Sequence, residues 1–229
     1  MNSVVTIRAS ADDSLVPPGD PGKYKSPFFH DFIHLNVAMM TSNNALVPDP
    51  DKQDDLASQW WQWPILHVGL RMCGWNDDIV KYFLLGNPFT YWVSTASLGV
   101  VGLVAVWYIL RWQRGFNDLS QEDIDSIHYA GIYPIMGWFL HYLPFVIMAR
   151  VTYVHHYYPA LYFAILALGF LVNFFVKNQK QVVQYAIYGV LYSVIIGLYI
   201  FFLPICWGMT GPNKDYSYMK WFSTWRISD

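Results

Sequence analysis

Apolar positions in this chain fall into two regimes. From residue 88 onward they mass into four long runs, roughly 88–110, 131–149, 157–176 and 182–206, whose interiors carry no Asp, Glu, Lys or Arg. Each is near the ~20 residues a helix needs to cross ~30 Å of hydrocarbon. Small residues recur in them, Ser94, Ser97, Gly99 and Gly102 in the first and Gly189, Ser193 and Gly197 in the fourth, and such residues let transmembrane helices approach closely. The pattern predicts an all-α membrane fold, a four-helix transmembrane bundle. Ahead of it, residues 26–40 alternate differently: Phe28, Phe29, Phe32, Ile33, Leu35, Val37 and Met40 surround a narrow polar stripe of His30, Asp31, His34 and Ala38. That spacing predicts an amphipathic helix suited to a membrane surface.

The connecting segments complete the plan. Residues 1–24 are polar and rich in Pro and Gly, and read as a linker or the remnant of a preceding domain. Residues 25–87 hold the amphipathic segment, a turn-rich stretch with Pro48, Pro50 and several Asp, and Trp60, Trp61, Trp63 and Trp75, rings favoured at a water–membrane boundary. Between the first two runs, Ser120 and Asp123 have the spacing of a helix N-cap and its N3 acid. Residues 207–229 form a tail. Four crossings place residues 1–87, the turn after the second run and the tail on one side. The basic residues closest to helix ends, Arg111, Arg114, Lys177 and Lys180, lie on the other, which the positive-inside rule favours as cytosolic.

Composition agrees, with 55% hydrophobic, 19% aromatic and 13% charged residues, far from an ordinary soluble domain. A net charge of −2 and the lack of any basic stripe argue against a nucleic-acid partner. Cys73 and Cys206 are the only cysteines, too few for a disulfide framework although they could pair in an oxidising lumen. The first residues lack the cationic start and apolar core of a signal peptide, so residues 1–87 are either cytosolic or follow an earlier membrane segment of something longer.

Candidate chemistry concentrates at one turn. RVTYVHHYYP, residues 150–159, sets Arg150, Tyr153, His155 and His156 within a few residues of hydrocarbon, where a guanidinium is expensive unless it is used. Its planar fork suits a pair of phosphate oxygens, and imidazoles can add hydrogen bonds. The bland alternative is a snorkelling Arg with headgroup-level His. His141, inside the second run and followed by Pro144, reads as an interhelical hydrogen-bonding or groove residue rather than a reacting one. Arg71 is a second cation near the membrane surface, or a partner for one of Asp54, Asp55, Asp77 and Asp78. Those acids are adjacent pairs of the kind that usually lie solvated in loops. His30 and His34 imitate the paired ligands of a zinc helix, but the acid is the short Asp31 and no third ligand is evident, so no metal and no cofactor is expected.

Several stretches then resemble one family together: NNALVPDPDKQDDLAS (43–58), WPILHVGLRMCGW (63–75), LLGNP (84–88), RWQRGFND (111–118), GWFLHYLPF (137–145) and RVTYVHHYYPALYFA (150–164). In order, and over about residues 25–225, they are similar to the C-terminal membrane module of the dolichyl-phosphate-mannose:protein O-mannosyltransferases. The 43–58 block and GLRMCGW look most like the fungal branch typified by the first yeast member. The resemblance implies a multi-spanning GT-C type glycosyltransferase of the endoplasmic reticulum membrane, with residues 25–87 and the tail lumenal. It implies a dolichyl phosphate mannose donor, Ser/Thr-containing acceptor proteins and a heterodimer with a second family member. It also implies a catalytic acid in an N-terminal lumenal loop and a lumenal β-trefoil domain ahead of residue 25, neither matched here, so the chain alone would be inactive. Arg150, His155, His156 and Arg71 are the residues expected at the donor phosphate, with His141 and Tyr153 in structural or lipid-groove roles. The competing class is a non-catalytic membrane protein that packs against and stabilises a partner. A channel is disfavoured because no charge lies inside a run.

Overall fold

The computed structural model describes residues 28–45, 54–148 and 150–228. The linker expected at 1–24 and the Pro48–Pro50 turn lie outside the described residues. The chain divides into two units, 1–48 and 49–229. In the first, α1 (Phe28–Asn44) forms where the amphipathic pattern predicts it. Its apolar side chains are exposed, Phe28 and Phe29 by 73% and 77%, and His30 and His34 stack one turn apart.

In the second unit four stretches are long and apolar enough to cross a membrane: α2 (Pro88–Gln113), the stretch Gln121–Ile147, Val154–Val176 and α6 (Gln181–Phe201). Each begins where local chemistry says it should. Asn87 caps α2 by accepting from the Thr90 N–H, with Pro88 in the first turn where its missing donor costs nothing. Ser120 accepts from the Asp123 N–H at 3.1 Å, the N-cap read from the sequence. Gly115 ends α2 at φ 82°. Its N–H reaches Trp112 O and the Phe116 N–H reaches Arg111 O, the paired bonds of a Schellman stop that only a residue at ease in the left-handed region permits.

Two boundaries differ from the apolar pattern. The second crossing starts ten residues earlier than residue 131, as α3 (Gln121–Asp125) running through a π-helical segment, Ser126–Ile132, into α4 (Tyr133–Ile147). Acids in its first turn, favourable at a helix N-terminus, disguise it as loop. The fourth run is interrupted: α6 ends at Phe201, and Pro204 opens a separate short helix, α7 (Leu203–Trp207). The third crossing joins a 3-10 turn, Val154–Tyr157, to α5 (Tyr158–Val176), which packs most extensively against α2 and α4. Gly137 of α4 faces the Phe163 ring so closely that an added Cβ would stand 2.4 Å from it.

At the end shared by the start of α2, the end of α4 and the start of α5, residues 54–87 form a cap fastened by the tail. Strands β1 (Leu70–Arg71) and β2 (Phe83–Leu84) pair antiparallel. Lys81 and Met209 exchange backbone hydrogen bonds, and the fully buried Lys81 ammonium donates to Gly211 O at 2.6 Å and to Asp77. Trp225 Nε1 donates to Leu66 O and Trp75 Nε1 to Ile227 O. The main core lies here, built on Trp63, Tyr91, Tyr157, Ile205, Met219 and Trp225. Trp63 is therefore a core residue, fully buried, and not an interfacial ring. Burial is favoured because its indole N–H finds the Ser58 hydroxyl at 2.9 Å.

Candidate functional site

The turn between α4 and α5 is held from below by the cap. Ser58 N–H donates to Thr152 O at 2.8 Å and the Thr152 hydroxyl returns a bond to Ser58 O at 2.7 Å. One step on, the Tyr153 hydroxyl donates to Asp54 Oδ2 at 2.6 Å, while Asp54 Oδ1 accepts from the Leu56 N–H. The Tyr153 hydrogen bond holds the Asp54 carboxyl below its usual range, and the same bond raises the Tyr153 phenol. Asp55 pairs with Arg226 at 3.2 Å. A backbone–backbone bond, a hydroxyl–backbone bond and a phenol–carboxylate bond make a strap that fixes Thr152 and Tyr153, and with them the residues on either side.

On that base the two imidazoles separate. His156 turns inward: its Nδ1 lies 3.0 Å from both the backbone N and the backbone O of Tyr153, and its ring lies against Phe145 and Trp63. His155 is exposed, stacked between Tyr153 at 5.7 Å and His156 at 4.4 Å. Arg150 is partly exposed; its Nε donates to Val151 O at 3.4 Å, and its charge is felt at both Tyr153 and His156. Arg150, Tyr153 and His155 thus share a locally rigid edge with cationic and hydrogen-bonding capacity, and His156 is the piece beneath it.

The other expected site residues are placed differently. Arg71 lies in the cap, Nε and Nη2 donating to Arg226 O at 3.0 and 2.8 Å, its guanidinium 4.7 Å from the Trp75 ring centre. It anchors the tail at Arg226, which in turn pairs with Asp55. Among the described residues His141 makes no interhelical hydrogen bond: Nδ1 meets Gly137 O of its own helix at 2.8 Å and the ring rests on Phe163 of α5. Cys73 and Cys206 are both free thiols. Among the described residues no group of three His, Cys, Asp or Glu is placed to hold a metal. Sequence reasoning missed Ser58, Thr152 and Asp54 as the supports of the turn. The acidic pair at 54 and 55 was the one available signal, and its partners lie 99 and 171 residues away.

A membrane-embedded helical bundle with a capped, cation-bearing turn at one end defines the class: a multi-pass membrane module with a polar site at the boundary. Residues 28–225 match the family model for the C-terminal four-transmembrane region of protein O-mannosyltransferases. The chain belongs to that family. It is 47% identical to dolichyl-phosphate-mannose–protein mannosyltransferase 6 of Saccharomyces cerevisiae across 94% of its own length and 28% of the relative's. To mannosyltransferase 2 of Candida albicans it is 44% identical, over 95% of this chain and 30% of the relative. Its structure superposes on the S. cerevisiae Pmt1–Pmt2 complex bound to the sugar donor with a TM-score of 0.75 at 29% identity, covering 88% of this chain and 27% of that one. The chain therefore spans less than a third of each of these three proteins. Identity to the yeast mannosyltransferase 1 is 31%, below that to the yeast relative numbered 6 and the Candida relative numbered 2.

Proposed function

We propose that this chain is the donor-phosphate-holding membrane module of a protein O-mannosyltransferase of the endoplasmic reticulum, one that moves mannose from dolichyl phosphate mannose to Ser or Thr hydroxyls of secretory proteins. Inverting transfer of this kind needs a base for the acceptor hydroxyl and a stabiliser for the phosphate as its charge grows. The module supplies the second. Arg150 and His155 stand on the edge fixed by the Asp54–Tyr153 and Ser58–Thr152 bonds, and that arrangement carries the reading, because preorganised donors stabilise developing charge without reorganising. The cap, the turn and the tail are lumenal in this reading, the α2–α3 and α5–α6 connections cytosolic, and a second family member is the partner.

The test is a graft. The chain replaces the equivalent region of the yeast mannosyltransferase 6, to which it is 47% identical, and mannosylation of an acceptor peptide is measured beside that of the 229-residue chain alone. Transfer by the graft and none by the isolated chain is expected. Transfer by the isolated chain, or a folded and inactive graft, contradicts the proposal.

A further inference from the structure

Three of the crossings carry boundary-type residues at one interval. On α2, Trp92 and Trp112 stand twenty residues apart, and both are exposed. On the third crossing Lys177 follows Tyr157, the residue before α5, by the same count. On α6, Phe201 follows Gln181 by twenty again. Twenty helical residues rise about 30 Å, the thickness of bilayer hydrocarbon. The three intervals also coincide in space. At the capped end Tyr91, beside Trp92, packs on Tyr157 with ring centres 5.9 Å apart. Toward the other end Tyr108 of α2 meets Phe174 of α5 at 6.2 Å, and Gln184 in the first turn of α6 donates to Lys177 O at 3.0 Å.

At the capped end the markers Trp92 and Phe201 belong to a ribbon of rings. Trp61, His67, Phe222, Trp92, Trp221 and Phe201 follow one another in space from the cap, across the start of α2, to the end of α6, each ring centre within 6.3 Å of the next. Tyr218 extends the row, 5.4 Å from Phe201. All but His67 are exposed, and no acid, Lys or Arg stands in the row. A contiguous exposed patch of this kind marks a contact surface. Indole and phenol rings have an apolar body and a polar tip, and are favoured where one side is apolar and the other wet.

We propose that this ribbon rests in the phospholipid headgroup layer, so that one boundary of the hydrocarbon passes at the level of Trp92, Tyr157 and Phe201 and the other at the level of Trp112, Lys177 and Gln181. The partner is the headgroup layer rather than a second polypeptide, because the ribbon falls at the depth that three separate crossings mark, and a protein partner would not be bound to that depth. The cap and the tail, which contribute Trp61 and Trp221, are thereby seated on the membrane surface as well as on α2.

Site-directed spin labelling of the whole chain in phosphatidylcholine vesicles tests it, in a Cys73→Ser, Cys206→Ser background that removes both free thiols. Nitroxides are attached one at a time through Trp61→Cys and Tyr218→Cys, near the two ends of the ribbon, through Val190→Cys midway along α6, and through Lys214→Cys in the tail. All four positions are exposed, so the labelled chains should fold. Depth is read from collision with oxygen against collision with a water-soluble nickel chelate. The labels at 61 and 218 should share one depth, about 15 Å outside that at 190, and meet the chelate less often than the label at 214. Chelate access at 61 and 218 equal to that at 214 puts the ribbon in water, and a depth equal to that at 190 puts it in hydrocarbon. Exclusion of both reagents means that another polypeptide covers it. Any of these three results overturns the proposal.

Discussion

His155 and His156 are neighbours in sequence and differ in everything else. One is exposed and stacked in the open; the other hydrogen-bonds the Tyr153 backbone and fills space between Trp63 and Phe145. His156→Ala is therefore expected to cost about 1–3 kcal/mol of stability for the lost backbone hydrogen bond and ring packing, read as a lower melting temperature. His155→Ala should leave melting unchanged and alter the dependence of transfer on donor concentration. Turnover and thermal unfolding of both variants in the graft decide it, and identical behaviour of the two contradicts the assignment. Arg71→Ala should loosen the tail, cutting stability by about 1 kcal/mol, with little effect on transfer. That the two imidazoles could not both face one site was legible from their 100° separation on a helix. Which one turns inward was not, because it depends on Trp63, drawn in from the other end of a long sequence separation.

Among elements, the strap from residues 54–58 to the turn is the one whose chemistry predicts a pH response. Asp54 has a folded pKa below its unfolded one, so its contribution is complete above the ordinary carboxylate range near ~3.9 and is lost as pH falls through the depressed value. Tyr153, raised by the same bond, contributes fully below ~10 and loses its contribution as pH climbs through the elevated value. The pair is largely exposed, so the effect is about 1 kcal/mol or less. Tyr153→Phe should flatten both limbs of the stability–pH curve, read by thermal unfolding across the range; an unchanged curve removes the strap. Trp63→Ala should cost about 3–5 kcal/mol because the indole is fully enclosed. The four crossings and the N-cap at Ser120 could be read from apolar runs and a short spacing. That the helix begun at Gln121 runs on into the second crossing, and that the fourth run breaks at Phe202, could not: acids belong at both helix starts and loops, and Pro204 only marks a first turn once the kink is known.

At the scale of the whole molecule, four crossings put the cap, the turn and the tail together at one end, and the hydrogen bonds from Trp225, Arg226 and Ile227 back to residues 55–75 bear out that grouping. Pattern alone gave the grouping because an even number of crossings returns the chain to its starting side. The pairing of Ser58 with Thr152 depended on tertiary packing and was invisible. The proposed role of the strapped turn is to hold the donor phosphate through Arg150, and the most direct measurement is the donor-dependent transfer rate of the graft carrying Arg150→Ala. Losing a charged hydrogen bond worth about 1.5–3 kcal/mol should slow transfer roughly 10- to 150-fold while melting stays near that of the parent. A folded Arg150→Ala graft with the parent's donor affinity and turnover would contradict the claim.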